Sequence, residues 1–158
     1  MLSHLLEAWT SLYANHPALR TGIEFTHIGG LVAGGGSAIT ADLATITAAR
    51  AGSARRTAQL VLLKRTHRLV VLGLVALSLS GLLLFAADID TYWYSRVFWL
   101  KMGLMALLLI NGGLLLRGER LVTRGEAHAW VRLHHTATAS LVLWFLTTLA
   151  GAALPNIG

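Results

Sequence analysis

The chain of 158 residues contains no cysteine, and only 13% of its residues are charged. Without cysteine there can be no disulfide, no thiolate metal site and no cysteine nucleophile. So little charge cannot cover the surface of a water-soluble domain this small. No internal repeat and no low-complexity linker is evident, and the length is that of one domain. What is abundant is apolar: 55% of residues are hydrophobic and the mean hydropathy is +0.64. That composition excludes intrinsic disorder and most soluble enzyme folds, and it points to a bilayer.

Four stretches are long enough to cross a membrane, for which about 20 apolar residues are needed. They run approximately over 22–47, 67–87, 97–116 and 131–154. The second and third contain LVVLGLVALSLSGLLLF and GLMALLLINGGLLL, with no period-2 alternation, so helices are expected rather than barrel strands. The expected fold is all-α: an up-down four-helix membrane bundle, preceded over residues 1–15 by a short interfacial helix carrying Trp9 and Tyr13. Gly29, Gly30, Gly34, Gly35 and Gly36 crowd the first span. Small residues there favour close helix packing, with a flat cofactor against that face as the alternative.

The formal net charge of +6 has a topological meaning. Arg50, Arg55, Arg56, Lys64, Arg65 and Arg68 lie between spans one and two, and Arg117, Arg120, Arg124 and Arg132 between spans three and four. Ten of the thirteen cations thus share one side. By the positive-inside rule that side is cytoplasmic, and both termini are periplasmic in a bacterial inner membrane. The basic balance then contacts anionic lipid, and nucleic acid is not a partner. Tyr92, Trp93, Tyr94, Phe98 and Trp99 form an aromatic belt at the other side.

Few ionisable residues fall within or beside the spans, and each is a functional candidate because its burial in lipid is costly. His67 opens span two, while His134 and His135 open span four, in the same leaflet. Two imidazoles on facing helices can hold a heme iron from both sides. His67 with His135 is the preferred axial pair, with His134 as substitute, and Arg65, Arg68 and Arg132 are positioned to hold propionates. The plainer alternative is histidines and arginines bound to lipid headgroups. His27 and Lys101 enter spans one and three to similar depth from the other side and could form one polar site. Asp42, deep in span one, is expected to meet Arg50 or another cation of the basic side. Asn111 is expected to hydrogen-bond between helices.

The order FTHIGGLVAGG, then SGLLLFAAD closing span two, then RVFWLKMGLMALLLIN opening span three, resembles small bacterial membrane proteins of the CopD-type copper-resistance and HemJ-type protoporphyrinogen oxidase group, over about residues 20–117. By that resemblance His27 and Lys101 match a functional histidine and lysine, and b-type heme is implied. The His67 and His134/His135 arrangement looks more like a bis-histidine membrane cytochrome b. The expected function is therefore a membrane b-type heme protein engaged in electron transfer, with one heme, or two if His27 ligates another. A quinone or redox protein is the expected partner, and a homo-oligomer or a larger membrane complex the expected setting. The alternatives are a HemJ-like oxidase using Lys101 and His27, or a CopD-like metal-handling protein. For copper(I), only Met102 and Met105 lie near the outer site.

Overall fold

The computed structural model describes residues 2–126 and 128–157, and the described chain is helical throughout apart from short turns. The N-terminal helix, Leu2–Asn15, is followed by four long helices: Pro17–Ala49, Ser53–Ala87, Arg96–Thr123 and Ala129–Ile157. All four are long and apolar enough to cross a membrane. Large apolar side chains cover their outward faces, Phe25, Val32, Leu72, Phe145 and Leu149 among them, each about two-thirds exposed or more. In water such a surface would drive aggregation, whereas against lipid chains it costs nothing.

The turns explain the boundaries. Pro17 starts the first span at a position where a missing N–H does no harm. The second span begins at Ser53, well before the apolar run. The expected basic loop is thus only a three-residue turn followed by four turns of helix. Residues 54–68 are rich in Ala, Arg, Gln, Leu and Lys, all strong helix formers. At 35 residues this helix is about 52 Å long, so its basic end extends beyond any hydrocarbon layer. Arg56 returns to the first span, donating from Nη2 to Ala49 O at 2.7 Å and stacking its guanidinium on Trp130, 5.3 Å from the ring centroid. At the opposite end, Ser95 Oγ caps the third span by accepting from Phe98 N at 3.0 Å. A six-residue helix, Ile89–Tyr94, precedes it. Gly125 and His128 adopt positive φ in the turn between spans three and four.

Packing is uneven around the bundle. The first span packs against the second and the fourth, and the fourth packs extensively against the third. The second and third spans do not pack along their lengths, so the ring is open on that side. On the closed side the backbones approach closely. A Cβ built on Gly30 would sit 2.9 Å from Gly73 O, and one on Gly73 would sit 2.8 Å from Gly30 O. Gly35 faces the fourth span, its Cβ position 3.1 Å from Trp144 Cζ3. The glycine cluster thus serves helix packing at Gly30, Gly34 and Gly35, whereas Gly29 and Gly36 face open space. Residues Leu31–Gly35 form a π-helical turn within the first span, in which Gly34 faces the second span and Gly35 the fourth.

Polar groups inside the bundle are satisfied mostly across spans. Gln59 Nε2 donates to Ala41 O at 3.0 Å and to Thr45 Oγ1 at 2.8 Å. Asn111 Nδ2 donates to Thr136 O at 3.0 Å, the expected bond between the third and fourth spans. Trp9 Nε1 of the N-terminal helix donates to Leu83 O at 3.0 Å, tying that helix to the second span.

Candidate functional site

The open side of the ring is a cleft between the second and third spans. Its inner chamber, about 350 Å³, is walled by all four spans. Val70, Val71 and Leu74 come from the second span, Leu108, Leu109, Gly112 and Gly113 from the third, Asp42 from the first, and Ser140 and Trp144 from the fourth. A second chamber, about 530 Å³, opens at the basic end between Lys64 and His67 on one helix and Glu119, Arg120 and Arg124 on the other. His67, Leu116 and Glu119 line both chambers, so the two are continuous. Each volume lies in the roughly 300–1,000 Å³ range of small-molecule sites.

The sequence candidates distribute unequally about this cleft. His67 stands at the junction of the chambers, with an exposed side chain. His134 and His135 line neither chamber. Their rings meet edge to face, with centroids 5.6 Å apart, and His134 Nε2 is buried without a partner. The second and fourth spans, which carry the expected axial pair, meet at the basic end where Arg56 stacks on Trp130 but do not pack along their lengths. Arg65, Arg68 and Arg132 are exposed and line neither chamber, and the cations at the mouth are Lys64, Arg120 and Arg124. Those three were missed because a loop was expected where the helix continues. Read at helical spacing, Lys64 stands one turn before His67 and shares its face.

Asp42 departs from expectation as well. It is 3% exposed, its Oδ2 has no hydrogen-bond partner, and no cation among the described residues lies within ion-pair distance. Arg50 ends the first span without pairing with Asp42, and Arg56 serves Ala49 O and Trp130. The Ser140 hydroxyl of the fourth span lies within hydrogen-bonding reach of the carboxyl. No signal in the sequence shows that Asp42 lacks a cation, because that depends on which helices adjoin it.

At the other end, His27 and Lys101 lie within Coulombic reach of each other, both half-buried. His27 Nδ1 is 3.0 Å from Ser80 Oγ, and Ser80 gives its proton to Ala76 O. Ser80 thereby anchors the imidazole to the second span. Gly81 makes room for the ring, its Cβ position being 3.4 Å from His27 Cε1. Lys101 turns inward against the fourth span, its Nζ 3.6 Å from where a Gly151 Cβ would sit. This end of the bundle thus carries an imidazole and an ammonium on the first and third spans, which lie diagonally across the ring. Among the described residues, no group of three or more His, Asp or Glu is arranged to hold a metal ion.

No protein family, curated protein or solved structure matches this chain. Its fold defines a multi-pass all-α membrane protein with a cleft between its second and third spans.

Proposed function

We propose that this protein binds a b-type heme at the basic mouth of the cleft and serves one-electron transfer in a bacterial inner membrane, with the basic end cytoplasmic and both termini periplasmic. The observation that carries this reading is the lining of the mouth: one accessible imidazole, His67, beside three cations, Lys64, Arg120 and Arg124, on an otherwise largely apolar cleft. An imidazole nitrogen suits heme iron, and a cluster of cations suits two propionates. Heme, when bound, supplies the one-electron redox chemistry. Of the chain's own residues, His67 would hold the iron, Lys64, Arg120 and Arg124 would pair with the carboxylates, and Leu116 and the inner walls would exclude water. A quinone or a redox protein is the proposed electron partner.

The test is an absorption spectrum of the protein expressed with ample heme, oxidised and then reduced with dithionite. A Soret band with b-type reduced bands is expected. His67 is the one imidazole that lines the mouth, so a high-spin spectrum is expected, and a low-spin one would mean that a second ligand from outside the cleft lining reaches the iron. Absence of any Soret band overturns the reading and leaves the mouth to anionic lipid headgroups.

A second reading, an oxidase acting on a porphyrinogen, is favoured by one observation: His27 and Lys101 approach each other at the outer end, with His27 held by Ser80. Turnover of protoporphyrinogen that is lost in Lys101→Ala and His27→Ala would support it over simple electron transfer.

A further inference from the structure

The inner chamber differs in character from the mouth. Its walls are formed by apolar side chains of all four spans, and the ionisable groups that reach it are two carboxylates, Asp42 and Glu119, and the His67 imidazole at its junction with the mouth, with no lysine or arginine. Lys64, Arg120 and Arg124 line the mouth only. Asp42 is almost wholly buried, Oδ2 has no partner, and the Ser140 hydroxyl is the neighbouring polar group. An unpaired carboxylate inside a membrane helix is costly, and such groups face cavities or partners that compensate them. Trp144, 3% exposed, borders the same chamber and offers an aromatic surface to it. The chamber opens between the second and third spans, where large apolar side chains face lipid on both sides.

We propose that this chamber binds a lipophilic organic cation, an ammonium or phosphonium carrying apolar groups, that enters from the bilayer between the second and third spans and pairs with Asp42. The walls take the apolar groups, Asp42 and Glu119 balance the charge, and Trp144 adds an aromatic contact. A bare inorganic cation fits less well. Calcium takes six to eight oxygen ligands, and the chamber lining provides two carboxylates and the hydroxyls of Thr66 and Ser140 on apolar walls. The inference goes beyond the heme reading and does not rest on it, since Asp42 lies outside the mouth chamber.

The experiment measures binding of radiolabelled tetraphenylphosphonium to the purified full-length protein in nanodiscs by equilibrium dialysis. Saturable binding of one ion per chain is expected. Asp42→Asn should weaken it at least about tenfold, in line with loss of a buried charge partner, while the helical circular dichroism and any Soret band are retained. Gly112→Phe provides a second variant. A Cβ on Gly112 meets nothing within 4 Å, so a large side chain there can fill the chamber without displacing a helix. It should abolish binding. Triphenylphosphine oxide, a neutral analogue, should not displace the ion. The proposal is overturned by an absence of saturable binding, by unchanged affinity in either variant, or by displacement with the neutral analogue. Asp42-dependent binding without a Soret band removes only the heme reading, and a Soret band without tetraphenylphosphonium binding removes only this one.

Discussion

Replacing Gly73 by alanine adds one methyl group where two helix backbones cross. That Cβ would lie 2.8 Å from Gly30 O and closer still to Gly34 Cα, against 3.4–4 Å for ordinary contact. Both neighbours are backbone atoms, so no rotamer change can relieve the contact. The first and second spans must separate by several tenths of an ångström along the crossing, which loosens the close-packed contacts on either side. Overpacking of a well-packed core costs about 1–3 kcal/mol. With backbone on both sides we expect the upper part of that range, about 2–3 kcal/mol, or roughly 30- to 150-fold in the unfolding equilibrium. The assay is reversible unfolding in mixed micelles, with denaturing detergent as the variable and circular dichroism as the signal. Gly103→Ala is the control, because a Cβ there meets nothing within 4 Å. It should be neutral or slightly stabilising through helix propensity. A Gly73→Ala protein within about 0.5 kcal/mol of the parent would refute the close crossing, since that is the range of inconsequential surface changes.

Other expectations follow from single contacts. Gln59→Ala removes the donor to Ala41 O and Thr45 Oγ1. It should destabilise by about 0.5–1.5 kcal/mol in the same assay, the net value of a hydrogen bond, because Ala41 O keeps its bond from Thr45 Oγ1. Asn111→Ala should cost about 0.6 kcal/mol and at most about 1.7, the range found for hydrogen bonds between membrane helices. Trp9→Phe keeps the apolar ring but loses the bond to Leu83 O. Hydrogen exchange of the N-terminal helix should then accelerate while that of the four spans stays unchanged. On the heme reading, His67→Ala should remove the Soret band or shift it to that of a weakly held heme. Arg120→Ala with Arg124→Ala should lower heme retention through a wash series, whereas Arg65→Ala with Arg68→Ala, which alters residues outside the cleft, should not.

Much of the fold was legible because the bilayer imposes it. A segment crossing hydrocarbon must satisfy its own backbone hydrogen bonds, so long apolar runs can be read as helices without knowledge of their neighbours. Interfacial residues were legible for a similar reason: Trp9 is where an anchor was expected, although its partner, Leu83 O, was not foreseeable. Helix ends were less legible. The second span gains four turns of basic helix before its apolar run, because arginine, lysine and alanine are as helical in water as leucine is in lipid. That extension put Lys64 on the face of His67 and left Arg65 and Arg68 outside the cleft.

From its sequence alone the chain is a basic, cysteine-free, four-span helical protein whose few intramembrane polar residues carry the functional question. These properties follow from local rules, namely hydropathy, helical period and charge asymmetry, each of which acts within one segment. Tertiary structure decided which of those residues meet. It paired His27 with Ser80 near Lys101, set His67 on a cleft that His134 and His135 do not reach, and left Asp42 facing that cleft without a cation. Each outcome depends on the order of helices around the ring and on their rotation. Close contacts such as that between Gly30 and Gly73 set both, over distances that no sequence period encodes.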